Sequence, residues 1–251
     1  MKKAVVAITL TLFATLLFGD AAEEVKKQKE QLEDIGISPG DVAIDSGKEQ
    51  FDKQKGANGK TCSGCHGKGG GKIKTAFAAM PKYYNDARAV LDLDMRIKYC
   101  LEKKMAVKNF KRDSSFINYA FFVASLANGQ KIRHTALHAK EKQILKKGKQ
   151  LWYARSGVLD LSCSSCHETY GGKRIRLQEL MVLDTEKAGK RWPAYRFGTD
   201  ATWTLEDRIR ACYKQTRVPA PDYHSDTVLS LSAYIMSRSK DAVVAIPGLV
   251  R

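Results

Sequence analysis

Behind Lys2 and Lys3 the chain opens on an uncharged, largely apolar run of 15 residues, Ala4 to Phe18. That run is shorter than the ~20 residues a membrane-spanning helix needs. Gly19-Asp20-Ala21 then sets small residues at the two positions a signal peptidase reads, so 1–21 is a signal peptide and no membrane anchor is expected. Beyond it, apolar positions recur at helical spacing. Ala22 to Asp34 reads as a short amphipathic helix ended by Ser38-Pro39-Gly40, and 22–45 as a helical extension. Arg88 to Met105 and Thr204 to Tyr213 also read as helices. The spacing of Ile117, Ala120, Phe121 and Ala124, and of Leu229, Ala233, Ile235 and Met236, predicts two further ones. Lys140, Lys142, Lys146, Lys147 and Lys149 are interrupted by Ile144, Leu145 and Leu151, the pattern of one solvated helix face. Gly67–Gly71 is a loop. Few stretches alternate with period two, so the pattern predicts an all-α protein.

A long repeat organises these elements. Cys62-Ser63-Gly64-Cys65-His66 recurs 101 residues later as Cys163-Ser164-Ser165-Cys166-His167, and the same offset relates Gly47 to Gly148, Phe51 to Trp152, Gly56 to Gly157 and Gly70 to Gly171. Further on the offset is 112, relating Pro81 to Pro193, Tyr83 to Tyr195, Arg96 to Arg208, Ile97 to Ile209 and Cys100 to Cys212. The second half therefore carries 11 extra residues, inserted between the counterparts of Lys74 and Met80. A constant register over so many positions indicates a duplicated unit. The polar segment Asn128 to His134 follows an apolar stretch, which sets the expected domains at 46–133 and 134–251.

Charge narrows the partners. The formal charge is +16, and removing Lys2, Lys3 and Asp20 with the signal peptide leaves +15. An exported chain without basic runs interleaved with aromatics is not read as a nucleic-acid binder. The excess would instead concentrate small anions and steer an acidic protein partner.

In an exported protein, Cys-x-x-Cys-His is a c-type haem attachment motif. Two thiols on one helical turn reach the two vinyl groups of a porphyrin, and the adjacent histidine ligates the iron. A zinc ribbon would hold its cysteine pairs ~15–20 residues apart, and a redox dithiol would need a βαβ context. Two covalent haem c groups are therefore expected, with Cys62, Cys65, Cys163 and Cys166 as thioether sites and His66 and His167 as proximal ligands. Cys100 and Cys212 remain. A disulfide between them is the plain alternative in an oxidising compartment. Repeat symmetry favours a second role, each as the distal ligand of its own haem, because the arginine at i−4 shares its helix face and supports a thiolate. Met80, before Pro81, has the pattern of a distal methionine, but its repeat partner is Trp192. His134, His138 and His224 lack repeat partners and read as surface or interface residues.

These residues carry a resemblance. The two Cys-x-x-Cys-His sites with their partner cysteines, Trp192-Pro193-Ala194-Tyr195-Arg196, Arg208 to Cys212 and the tail Ile246 to Arg251 are similar to SoxA, the dihaem subunit of SoxAX cytochromes. The resemblance implies two tandem cytochrome c-like domains, a periplasmic location and an L-cysteine S-thiosulfotransferase. Such an enzyme joins thiosulfate to a cysteine of a SoxYZ-type carrier and works with a SoxX-type monohaem cytochrome. It further implies that Cys212 is the active-site cysteine, as a haem-ligating persulfide, and that Arg208 binds substrate. Arg238 is a second candidate anion contact. The competing readings are a dihaem thiosulfate dehydrogenase forming tetrathionate, and a plain electron carrier.

Overall fold

In the computed structural model of the chain, the described residues are Glu30, 36–175 and 178–250. The signal peptide lies outside them, as does the expected Ala22–Asp34 helix apart from Glu30. Among the described residues no helix is long and apolar enough to cross a membrane.

The first half begins with α1 (Pro39–Lys53), which runs through the domain boundary expected at 45/46. Ser38-Pro39-Gly40 starts this helix. Ser38 caps the Asp41 N–H while the Asp41 carboxylate accepts from the Ser38 N–H at 2.7 Å, and Pro39, which needs no amide partner, fills the first turn. α2 (Cys62–His66) carries the first cysteine motif. A hairpin of β1 (Lys82–Tyr84) and β2 (Ala89–Leu91) leads into α3 (Leu93–Tyr99), whose last turn widens into a π-turn at Cys100–Lys104. The helix expected from Arg88 thus starts only after β2. α4 (Ser114–Ser125) packs along α1.

The second half carries corresponding elements in the same order. α5 (Ala139–Tyr153) is followed by a π-turn (Ser165–Thr169) over the second cysteine motif. The hairpin β3 (Arg174–Ile175) with β4 (Gln178–Glu179) and the short α6 (Leu183–Glu186) come next, where the extra residues were expected. The hairpin β5 (Ala194–Arg196) with β6 (Ala201–Trp203) then leads into α7 (Leu205–Gln215), and α8 (Asp226–Arg238) packs along α5. The last strand, β7 (Gly248–Val250), pairs parallel with β5. All-α is therefore too simple. Strands of two or three residues are too short to print a period-two pattern in sequence.

Each half closes by the same close approach of two helices. A Cβ on Gly47 would lie 2.0 Å from the Asn118 carbonyl oxygen, and one on Gly148 would lie 1.9 Å from that of Ser230. The two glycines are repeat partners, and so are the two carbonyls. The first core centres on Phe51, Phe116, Phe121 and Phe122 and takes in Met236, Val244 and Ile246 from the end of the chain. The second gathers Trp152, Leu183, Ile209, Leu231 and Ile235.

Polar groups lock the seam between the halves. Arg112 donates from Nη1 to Asp207 at 2.8 Å, and from Nη2 to Asp94 at 2.9 Å and to Thr204 at 2.8 Å. The three unpartnered histidines of the sequence also gather here. His138 stacks on Tyr83 at 3.8 Å, and His224 faces Phe110 and Phe116. His134 is only 4% exposed, so the surface reading fails for it.

Candidate functional site

In the second half the cysteine motif and the α7 cysteine face a common cavity. It encloses about 450 Å³ and is lined by Cys163, Cys166, His167, Arg208, Cys212 and Tyr213, with Leu151, Leu183 and Ile235 among its apolar walls. His167 is fixed from behind: its Nδ1 lies 2.9 Å from the Met181 carbonyl oxygen, and the Trp152 ring sits 5.6 Å from its own. The extra residues of the second half supply that carbonyl. Trp152 is in turn held by its Nε1–H, which donates to Glu168 at 2.8 Å.

Electrostatics separate Cys212 from the other cysteines of this site. Burial pushes the Cys163 thiol up to about 12 and raises Cys166 as well. Burial acts on Cys212 in the same direction, but the Arg208 guanidinium, His167 and Arg196 override it and bring the thiol down to about 7. One nitrogen of Arg208, Nη1, is buried and has no hydrogen-bond partner among the described residues. A buried donor without an acceptor is costly unless a ligand fills the gap.

The first half gathers the same donor types with a different charge balance. Cys62 is pushed up to about 12 by burial, then by the nearby Cys100 and Cys65, and its thiol donates to the Met105 sulfur at 3.5 Å. Phe51 lies 6.1 Å from His66, in the place Trp152 takes beside His167. Cys100 stays raised by burial, and Arg96 lowers it only in part. The reason is Asp86, which accepts from Arg96 at 2.9 Å and also pairs with Lys104 at 3.3 Å. The repeat partner of Asp86 is Gly198, and that of Arg196 is Tyr84. Two exchanges therefore place Arg196 near Cys212 and leave it without a counterpart of Asp86.

The sequence reading overlooked Arg196, a buried side chain whose guanidinium lies over the Trp203 ring at 4.3 Å. Comparing the repeats at offset 112 is the signal that exposes it. Arg238 is placed away from Cys212: it does not line the cavity, and its guanidinium is engaged by Asp184 (Nε to Oδ1 2.6 Å) and by the Tyr234 hydroxyl at 3.3 Å. Met80 is buried at the seam beside Trp192.

The SoxA/TsdA cytochrome c domain matches this chain over residues 46–132 and again over 147–244. The chain belongs to the SoxA family. An L-cysteine S-thiosulfotransferase subunit SoxA of Hydrogenobacter thermophilus is 49% identical to it, over 96% of this chain and 94% of the relative. The subunit of the same name from Hydrogenophilus thermoluteolus is 31% identical and covers 100% of both chains. The fold is similar to that of the SoxXA crystal structure from P. pantotrophus, with a TM-score of 0.76 at 21% identity over 85% of this chain and 79% of that one.

A SoxA-family cytochrome c domain carries covalent haem c, and the residues present fit that group. The cavity is of cofactor size and mostly apolar. Two thiols three residues apart stand on its wall, a histidine whose Nδ1 is already engaged offers Nε2 toward its interior, and the α7 cysteine faces it.

Proposed function

We propose that this protein is a periplasmic L-cysteine S-thiosulfotransferase subunit that joins thiosulfate to a cysteine of a SoxYZ-type carrier protein. It comprises two tandem cytochrome c-like domains, 46–133 and 134–251, that arose by duplication. Cys62 and Cys65 hold one haem and Cys163 and Cys166 the other. His66 with Cys100, and His167 with Cys212, would hold the two irons. A SoxX-type monohaem cytochrome completes the enzyme. The repeat register, the matched double cytochrome domain and the identity to SoxA subunits support this reading.

One observation carries the chemistry: a buried, unpaired guanidinium nitrogen of Arg208 beside an acidified cysteine in the same cavity. Joining a carrier thiolate to thiosulfate forms one S–S bond between two anions and releases two electrons; both charges must be neutralised while the sulfurs approach. Haem c, when bound, supplies the acceptor for those electrons. Arg208 presents planar paired donors that match a sulfonate group. Arg196 adds a second positive charge on the same sulfur. Cys212, held anionic by both, is the sulfur carrier. Arg238, paired with Asp184, is left as a residue that orders α8, and a substrate contact would require it to leave that partner.

The test is turnover of thiosulfate with an electron acceptor, with and without the carrier protein, followed by identification of the sulfur product. Carrier-dependent reduction with a cysteine S-thiosulfonate on the carrier is the expected result. Tetrathionate formed without carrier would assign a thiosulfate dehydrogenase, and no thiosulfate-dependent reduction would leave a plain electron carrier.

A further inference from the structure

The helices that lead to Cys100 and Cys212 begin at the same place. Asp92 caps α3 and Thr204 caps α7, each eight residues before its cysteine. Between these helix ends lies a small cavity of about 30 Å³, lined by Asp92, Asp94, Glu206 and Ser232 among apolar walls that include Met80 and Trp192.

All four polar residues are buried, with Asp94, Glu206 and Ser232 each 2% exposed and Asp92 6%. Asp92 uses Oδ1 to accept from the Met95 N–H at 3.0 Å, while its Oδ2 has no hydrogen-bond partner among the described residues. The Ser232 hydroxyl is also without one. Glu206 accepts from the His224 backbone N–H at 3.1 Å, and its Oε1 lies 3.2 Å from the His224 ring Nδ1.

The surrounding charges leave this pair uncompensated. From the segment before α4, Arg112 is consumed by Asp94 and Asp207. From the loop before α8, His224 is held toward its neutral form by burial, with Arg112 and Lys98 opposing its charge and Asp94 and Asp92 favouring it. Tyr223 donates to Asp207 and not to the pair. Two buried carboxylates with no cation of their own would cost several kcal/mol as charges, and a shared proton removes that cost. Burial, then repulsion from Glu206 and Asp94, raises the Asp92 carboxyl; burial and Asp94 push Glu206 up to about 8.

We propose that this cavity is a proton-binding site, in which Asp92 and Glu206 hold one proton directly between them beside the Ser232 hydroxyl. The proton ties the starts of the two cysteine-bearing helices together, and its loss sets two like charges face to face at the seam.

The sign follows from linkage. A carboxyl whose value is raised by folding stabilises the folded state at low pH, and that stability is lost as pH rises through the folded value. The test is denaturant unfolding of the holoprotein at about pH 6 and about pH 9 for wild type, Glu206→Gln and Asp92→Asn, since both variants keep an acceptor oxygen for the existing bonds. Between those two values the wild-type unfolding constant should rise roughly a hundredfold more than the variants', tenfold for each unit by which the Glu206 carboxyl stands above pH 6. An equal loss of stability at both pH values would overturn the proposal. Infrared spectroscopy of the wild-type holoprotein decides it even where the variants do not fold. A protonated-carboxyl band present near neutral pH, shifted in heavy water and lost at high pH, supports the site; absence of that band refutes it.

Discussion

Replacing Arg208 in two ways separates the two roles proposed for it. Burial alone would push the Cys212 thiol above its ordinary 9.0, and Arg208 is the largest of the influences that bring it to about 7. At about pH 7 roughly half of the sulfur, when it is not bound to iron, is then anionic, against about one part in a hundred for a thiol at the ordinary value. Arg208→Gln removes the largest of these influences and leaves His167 and Arg196, so the anionic fraction of the uncoordinated thiol should fall and the acid limb of the pH–rate profile should move to higher pH. It also removes a charge-assisted contact to thiosulfate of about 1.5–3 kcal/mol, a further factor of roughly ten to a hundred. Arg208→Lys keeps the charge and loses the planar fork, so only the second factor should appear and the acid limb should stay in place. The assay is kcat/KM for thiosulfate with carrier protein and acceptor, from about pH 6 to pH 9 at constant ionic strength, on preparations matched for covalent haem. If both variants keep the wild-type limb and stay within about threefold of its kcat/KM, the reasoning fails, and Arg196 becomes the cation to replace.

Three further outcomes follow from the packing and the repeat. Arg112→Gln strands the buried Asp94 and half-buried Asp207 carboxylates and should cost about 3–5 kcal/mol, a fall in Tm of roughly 6–20 °C for a chain of this size; a loss below about 1 kcal/mol in thermal unfolding would contradict the seam network. Gly148→Ala places a methyl against the Ser230 carbonyl and should cost at least ~1–3 kcal/mol in denaturant unfolding as α5 and α8 separate, whereas the exposed Lys149→Ala should stay within about 0.5 kcal/mol. Cys100→Met should alter the spectrum and potential of one haem and leave the other unchanged; a Cys100–Cys212 disulfide found by peptide mapping would remove the basis for that expectation.

Much of this organisation was legible in the residues because repeats and covalent motifs are local and discrete. The offsets of 101 and 112 located the corresponding helices, the insertion and the two cysteine sites before any geometry was known. What stayed hidden depends on three-dimensional neighbours. Ser38-Pro39-Gly40 can stop a helix or start one in sequence, and the Asp41 carboxylate reaching back to Ser38 shows that it starts α1. Arg238 has the sequence credentials of an anion contact, yet Asp184, 54 positions away, takes its guanidinium. The short hairpins before α3 and α7 carry no periodicity to read, although they set where each cysteine-bearing helix begins.

Symmetry was the strongest argument available from sequence, and its limit is informative. It assigns Cys100 and Cys212 the same role because the positions, the helices and the arginine one turn earlier all correspond. The chemistry of a sulfur, however, is set by the net charge around it and not by its register. In the first half Asp86 ties up Arg96, Tyr84 stands where a second arginine could be, and burial leaves Cys100 a poor anion. In the second half Gly198 offers no carboxylate, Arg208 keeps a buried nitrogen unpaired, and Arg196 adds its charge. The two halves thus offer corresponding frames, and the exchanges at two positions, 84/196 and 86/198, account for part of the difference in charge around Cys100 and Cys212.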